Sequence, residues 1–199
     1  MKLKFLLLLL IILKTNTHSS DIEYPVKYER PEDTVRAFEE TTINLLKMST
    51  TESKEQRFIY TLNQLRNLFD FETIVAIILS EQLEGENKEL EVEFTKQLQN
   101  LTARTMVLNY VNYSKQKYEL IKSKKDEKRA FIFTEFYVSD DKTVPFRFVL
   151  KNNQGNWQII NIIASGVSEL SLKKIEYQSF LETKTLFDLI QEIKLQNQI

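Results

Sequence analysis

The stretch Gly155–Ser168, GNWQIINIIASGVS, places the tightest limits on how this chain folds. Small and polar residues, Asn152, Asn153, Gln154 and Gly155, favour a chain reversal. A strand is therefore predicted from Trp157, and its β-branched and aromatic residues run almost unbroken: Trp157, Ile159, Ile160, Ile162 and Ile163. Alternation along a strand sends successive side chains to opposite faces, so a run of this kind is apolar on both and both must be covered. Gly166 ends the strand, and Val167-Ser168 leads into a charged, helix-like tail.

Helical spacing fills the region before it. Pro31 suits a first helical turn, with Glu32 and Asp33 near the positive end of the dipole. Val35, Phe38, Thr42 and Leu45 then recur on one face, and Phe58, Leu62, Leu65 and Phe69 repeat the pattern. Asp70 is placed to cap a third helix whose residues Phe71, Ile74, Val75, Ile78 and Leu79 form a wide apolar stripe. Glu84, Gly85 and Glu86 predict a break, and Asn87 a cap for a fourth helix carrying Leu90, Phe94, Leu98, Leu101, Thr105 and Leu108.

After Tyr113 the period changes. Tyr118–Ile121 reads as a strand, Lys122–Arg129 as a charged hairpin loop, and Phe131–Val138 and Val144–Leu150 as strands joined at Asp140-Asp141. Such short connections imply antiparallel pairing. Thr185 and Asp188 form a capping box for a last helix bearing Leu186, Leu189, Ile190 and Ile193. The expected fold class is α+β: N-terminal helices on an antiparallel sheet of about four strands, followed by C-terminal helices.

Lys2 and Lys4 ahead of the apolar run Phe5–Leu13, then a small polar stretch to Ser20, have the layout of a secretory signal peptide. The expected organisation is a leader over 1–20 and one domain over 21–199. Removing the leader's three lysines from the 27 basic residues leaves 24 against 28 acidic, a net charge of −4. That balance argues against a nucleic-acid partner and against standing adhesion to an anionic membrane. The only histidine, His18, lies in the leader region, and there are no cysteines. A Ser-His-Asp triad, a His- or Cys-ligated metal and a thiolate nucleophile are thereby excluded from the domain. No glycine-rich phosphate loop is present, so no cofactor is implied.

Gly155, Trp157, the apolar run, Gly166-Val167-Ser168, and Tyr177 with Phe180 in the next helix resemble the MlaC/toluene-tolerance family of periplasmic phospholipid-binding proteins. Phe69-Asp70-Phe71-Glu72 resembles the same family's element at a helix start. Three positions depart from that pattern: Asn161 stands where the family usually has Asp, Gln178 where it often has Arg, and Lys184-Thr185 where it often has glycines. The departures put an acidic or cationic headgroup role at those positions in doubt.

The resemblance implies a monomeric carrier in the periplasm that holds the acyl chains of a phospholipid in an apolar cavity between sheet and helices. Its partners would be an outer-membrane complex and an inner-membrane ABC transporter complex with a lipid-binding subunit. The residues expected to line the cavity are Phe94, Val107, Phe131, Phe133, Val144, Phe146, Phe148, Trp157 and Ile159, with Trp157 equally suited to plain packing. Gly166 is read as a backbone requirement, and Phe69, Phe71, Tyr177 and Phe180 as fold markers.

Two other readings stay open on the residues alone. One is a chaperone or adaptor with a filled core and an exposed apolar patch for protein partners. The other is an enzyme using Glu135 or Tyr137, placed in an apolar strand where desolvation would shift a pKa; nothing in the sequence sets a second catalytic group beside either.

Overall fold

The computed structural model describes residues 26–80 and 88–198. The leader, the break at Glu84–Glu86 and the Asn87 cap lie outside them. Four helices come first: α1 (Pro31–Met48), α2 (Lys54–Leu68), α3 (Phe71–Leu79) and α4 (Lys88–Asn109). Five strands follow, β1 (Lys117–Lys125), β2 (Arg129–Ser139), β3 (Lys142–Asn153), β4 (Asn156–Ala164) and β5 (Val167–Ser168), then α5 (Glu169–Leu181) and α6 (Leu186–Gln196). The strands form one antiparallel sheet in sequence order. Among the described residues no helix is long and apolar enough to cross a membrane.

Local chemistry sets the element ends. Ser53 and Gln56 make a capping box at the start of α2, and Thr185 and Asp188 make the one expected for α6. Asp70 accepts from the backbone N–H of Thr73 and caps α3. Gln154-Gly155 and Ser165-Gly166 both have two consecutive positive φ values, +53° then +84° and +50° then +83°. These are the left-handed pairs of two-residue hairpin turns whose twist matches that of the flanking strands. Space is open around the Cα of Gly166, so its φ, and not crowding, is what selects glycine.

The sheet differs from expectation at its first strand. β1 continues through Lys125, and the turn shrinks to residues 126–128, where Asp126 accepts the backbone N–H groups of Lys128 and Arg129. The sequence hides this because β1 is an edge strand with no fully buried residue; its lysines suit an unpaired edge but give no apolar alternation. The two-residue β5 adds the fifth strand.

Helices cover one face of the sheet. α1 contributes Val35, Phe38 and Leu45 to the core, α2 Leu65 and Leu68, and the sheet Ala130, Ile132, Phe148 and Leu150. Trp157 is clamped at its backbone, its N–H donating to the Tyr28 carbonyl at 2.8 Å and its carbonyl accepting from the Thr34 hydroxyl at 2.8 Å. A bulge between Val149 and Leu150 in the β3–β4 register lets Ile159 and Ile160, neighbours in sequence, both be buried. Phe69 pairs with Ile159 in an isolated bridge, and the Asp70 N–H donates to the Ile159 carbonyl at 3.1 Å. The α2–α3 junction is thus fixed to β4.

Candidate functional site: an apolar pocket between sheet and helices

A pocket of about 340 Å³ lies between α3, α4, α5 and the covered face of β3 and β4. Phe38 and Phe69 contribute from α1 and the α2–α3 junction, Phe71, Ile74 and Ile78 from α3, and Leu98, Leu101 and Met106 from α4. Phe146, Ile160, Ile162 and Ala164 line the sheet side, and Leu170 the α5 side. Successive α3 lining residues fall three and four apart, so one stripe of a nine-residue helix faces the space. Within this lining Phe38 meets Phe69 edge to face at 5.9 Å, and behind it Phe148 meets Phe38 edge to face at 5.4 Å and stacks on Phe146 at 5.9 Å. Phe148 thus backs the wall.

Polar groups also line the pocket: Thr102, Thr105 and Asn109 of α4, Asn161 of β4, and Glu169 and Lys173 of α5. Lys173 pairs with Glu176 at 2.7 Å and lies over the Tyr177 ring. Asn161 accepts from the Ser168 hydroxyl at 3.1 Å, tying the β4 strand to the cap of α5. Tyr110 also borders the pocket; burial raises its pKa and that of Tyr118, so both phenols stay neutral. Tyr118 accepts from the Thr42 hydroxyl at 3.2 Å. No cluster of His, Cys, Asp or Glu able to hold a metal exists among the described residues. The arrangement supplies an apolar volume with polar groups on part of its wall.

Of the nine residues expected to line a cavity, Phe146 does. Phe148 stands directly behind it, and Val144 shares the same sheet face, paired with Phe136. Phe94 is fully buried against Tyr177, with ring centroids 5.8 Å apart, and Val107, Trp157 and Ile159 are buried in the core outside the pocket. Phe131 and Phe133 lie away from this pocket. Their neighbours Ala130, Ile132 and Thr134 are buried, so alternation turns both phenylalanines to the opposite face, where Phe131 is 39% exposed. A strand rich in phenylalanine on both faces gives no sign in the sequence of which set points inward.

Glu135 and Tyr137 share that outer face. The Tyr137 pKa is raised through its hydrogen bond with Glu119 and not chiefly by the desolvation expected of a cavity. Of the pocket residues that sequence reading missed, Ile74, Ile78, Leu98 and Leu101 belong to stripes that spacing does reveal, whereas Met106 is on none of them; which helix faces meet across a void depends on tertiary packing.

The family model described as MlaC protein matches residues 36–195. The chain belongs to the MlaC family. That match spans every element that lines the pocket. Comparison with curated proteins finds no match. Among solved structures, this MlaC-family chain is similar to the phospholipid-binding protein from Ralstonia solanacearum in complex with a phospholipid, at 13% identity and a TM-score of 0.73. The similarity covers 84% of this chain and 96% of that one and establishes a shared fold. At all three departures from the family pattern this chain makes its own bonds: Asn161 accepts from the Ser168 hydroxyl, Gln178 donates to the Ser80 hydroxyl at 3.4 Å, and Thr185 caps α6.

Proposed function

We propose that this protein is a periplasmic phospholipid carrier, exported by its leader as one domain over residues 21–199, that moves lipid between an outer-membrane complex and an inner-membrane ABC transporter complex. The apolar pocket between sheet and helices carries this reading, in a fold shared with a protein solved with a phospholipid. A volume of about 340 Å³ falls at the lower end of the range for ligand pockets, about 300–1,000 Å³. Acyl chains would lie against Ile74, Ile78, Leu101, Phe146 and Ile162, with the headgroup toward Thr105, Asn109 and Lys173.

The energetics fit a shuttle. Burying a CH₂ group is worth about 0.8 kcal/mol, so each long acyl chain held in the pocket amounts to on the order of 10 kcal/mol that release into water would forfeit. Lipid therefore leaves only while the carrier is docked on an apolar acceptor. Passage between two apolar environments has little net driving force, so direction comes from the partner complexes, in keeping with a sequence that carries no glycine-rich phosphate loop.

Displacement of a fluorescent long-chain lipid probe tests the proposal. Phospholipid should compete the probe from the parent protein, and Leu101→Trp, which fills the pocket from the α4 side, should weaken probe binding at least tenfold while the far-ultraviolet circular dichroism is unchanged. Equal probe binding by both proteins would remove the pocket from the proposal.

A further inference from the structure

The face of the sheet turned away from the pocket has a composition unlike the rest of the molecule. The strand register lays it out in rows. One row across β1, β2 and β3 is Lys124, Phe131 and Val149; the next is Lys122, Phe133 and Arg147. Arg129 and Lys151 pair in the row beyond. These rows hold no carboxylate; Glu119 and Glu135 face one another two residues further along β2, and Asp126 lies in the turn beside Arg129. Lys151 is engaged at the corner by Asp70 at 3.2 Å. Lys122, Lys124, Arg129 and Arg147 are exposed and take part in no ion pair among the described residues. Among those residues α1 lies on the opposite face, where its Glu32 meets Ser123 and its Thr42 meets Tyr118, and α3 reaches this face only at its β4 side, where Asp70 and Thr73 meet Lys151.

An exposed phenylalanine flanked by cations matches a bilayer, whose headgroup phosphates meet Lys and Arg while rings enter the interfacial layer. We infer that the outer face of β1–β3 docks reversibly on the surface of an anionic phospholipid bilayer through Lys122, Lys124 and Arg147 around Phe131 and Phe133. The negative net charge of the chain as a whole limits this attachment to a weak, salt-sensitive one. The inference does not depend on what the pocket carries.

Co-sedimentation with vesicles tests it. The purified protein should bind vesicles of equal parts phosphatidylglycerol and phosphatidylcholine at low salt, bind pure phosphatidylcholine vesicles little, and lose binding as salt rises. The double variant Lys122→Gln, Arg147→Gln should lower the partition coefficient roughly thirtyfold. Phe131→Ser should lower it severalfold with the salt dependence kept. All three positions lie on the uncovered face, and an unchanged circular dichroism spectrum and melting curve would show that the variants fold. Binding that ignores lipid charge, equal binding by the double variant, or no vesicle binding would overturn the inference. Binding to soluble poly-glutamate but to neither vesicle would overturn it in favour of an acidic protein partner.

Discussion

Glu39 sets a carboxyl between α1 and the sheet, and one of its oxygens is buried without a hydrogen-bond partner. Burial pushes its pKa up to about 7. A carboxyl whose folded pKa lies above its unfolded value binds more protons folded than unfolded, so stability falls as pH rises from about 4.5 to about 7. Above that window the penalty for ionisation is about 3 kcal/mol. Glu39→Gln should therefore raise the melting temperature at pH 8 by several degrees and leave it nearly unchanged at pH 4, a contrast that thermal melts at the two pH values would read directly. An equal shift at both would mean that packing, and not charge, is what the substitution alters. The sequence shows Glu39 only as one more acid on a polar helix; its burial comes from the sheet passing over it, which local spacing does not encode.

At the scale of elements, α3 shows how a capping residue supports the pocket. Asp70 is 7% exposed and receives Asn153, Thr73 and Lys151 as well as the Thr73 backbone. Burial alone would raise its pKa, yet hydrogen bonds from Asn153, Thr73 and Lys151 hold it below the usual value. Its contribution is thus complete above the unfolded pKa and is lost as pH falls through the folded one. Asp70→Ala should cost about 2–3 kcal/mol near neutral pH by urea unfolding, and less in acid, because both a cap and the partner of buried donors disappear. The same loss should loosen Phe71, Ile74 and Ile78 and weaken lipid retention. Gly166→Ala meets no steric clash but demands a left-handed residue, so it should cost about 1 kcal/mol. Helix positions, the Asp70 and Thr185 caps and the chain reversal at Gly155 were legible because each follows from chemistry within four or five residues. The full length of β1 was not, because an exposed edge strand lacks the alternation that marks a strand.

For the whole molecule, the family could be read from Trp157, Gly166-Val167-Ser168 and Phe69–Glu72, and the match over residues 36–195 agrees with it. The α+β arrangement was readable too, since a helical half followed by closely spaced strands leaves few alternatives. The pocket wall was much less so. Phe146 and Phe131 lie on neighbouring strands of similar composition, yet one lines the pocket and the other faces outward. A register shift of one residue decides which, and it is set by the β2–β3 hairpin with its irregularity between Tyr137 and Ser139. Native mass spectrometry of the mature protein purified without detergent, repeated after organic extraction, tests the carrier account most directly. The account predicts one phospholipid per chain, absent after extraction, regained on incubation with phospholipid vesicles, and reduced in Leu101→Trp. A protein that stays at its apo mass before and after that incubation would contradict it.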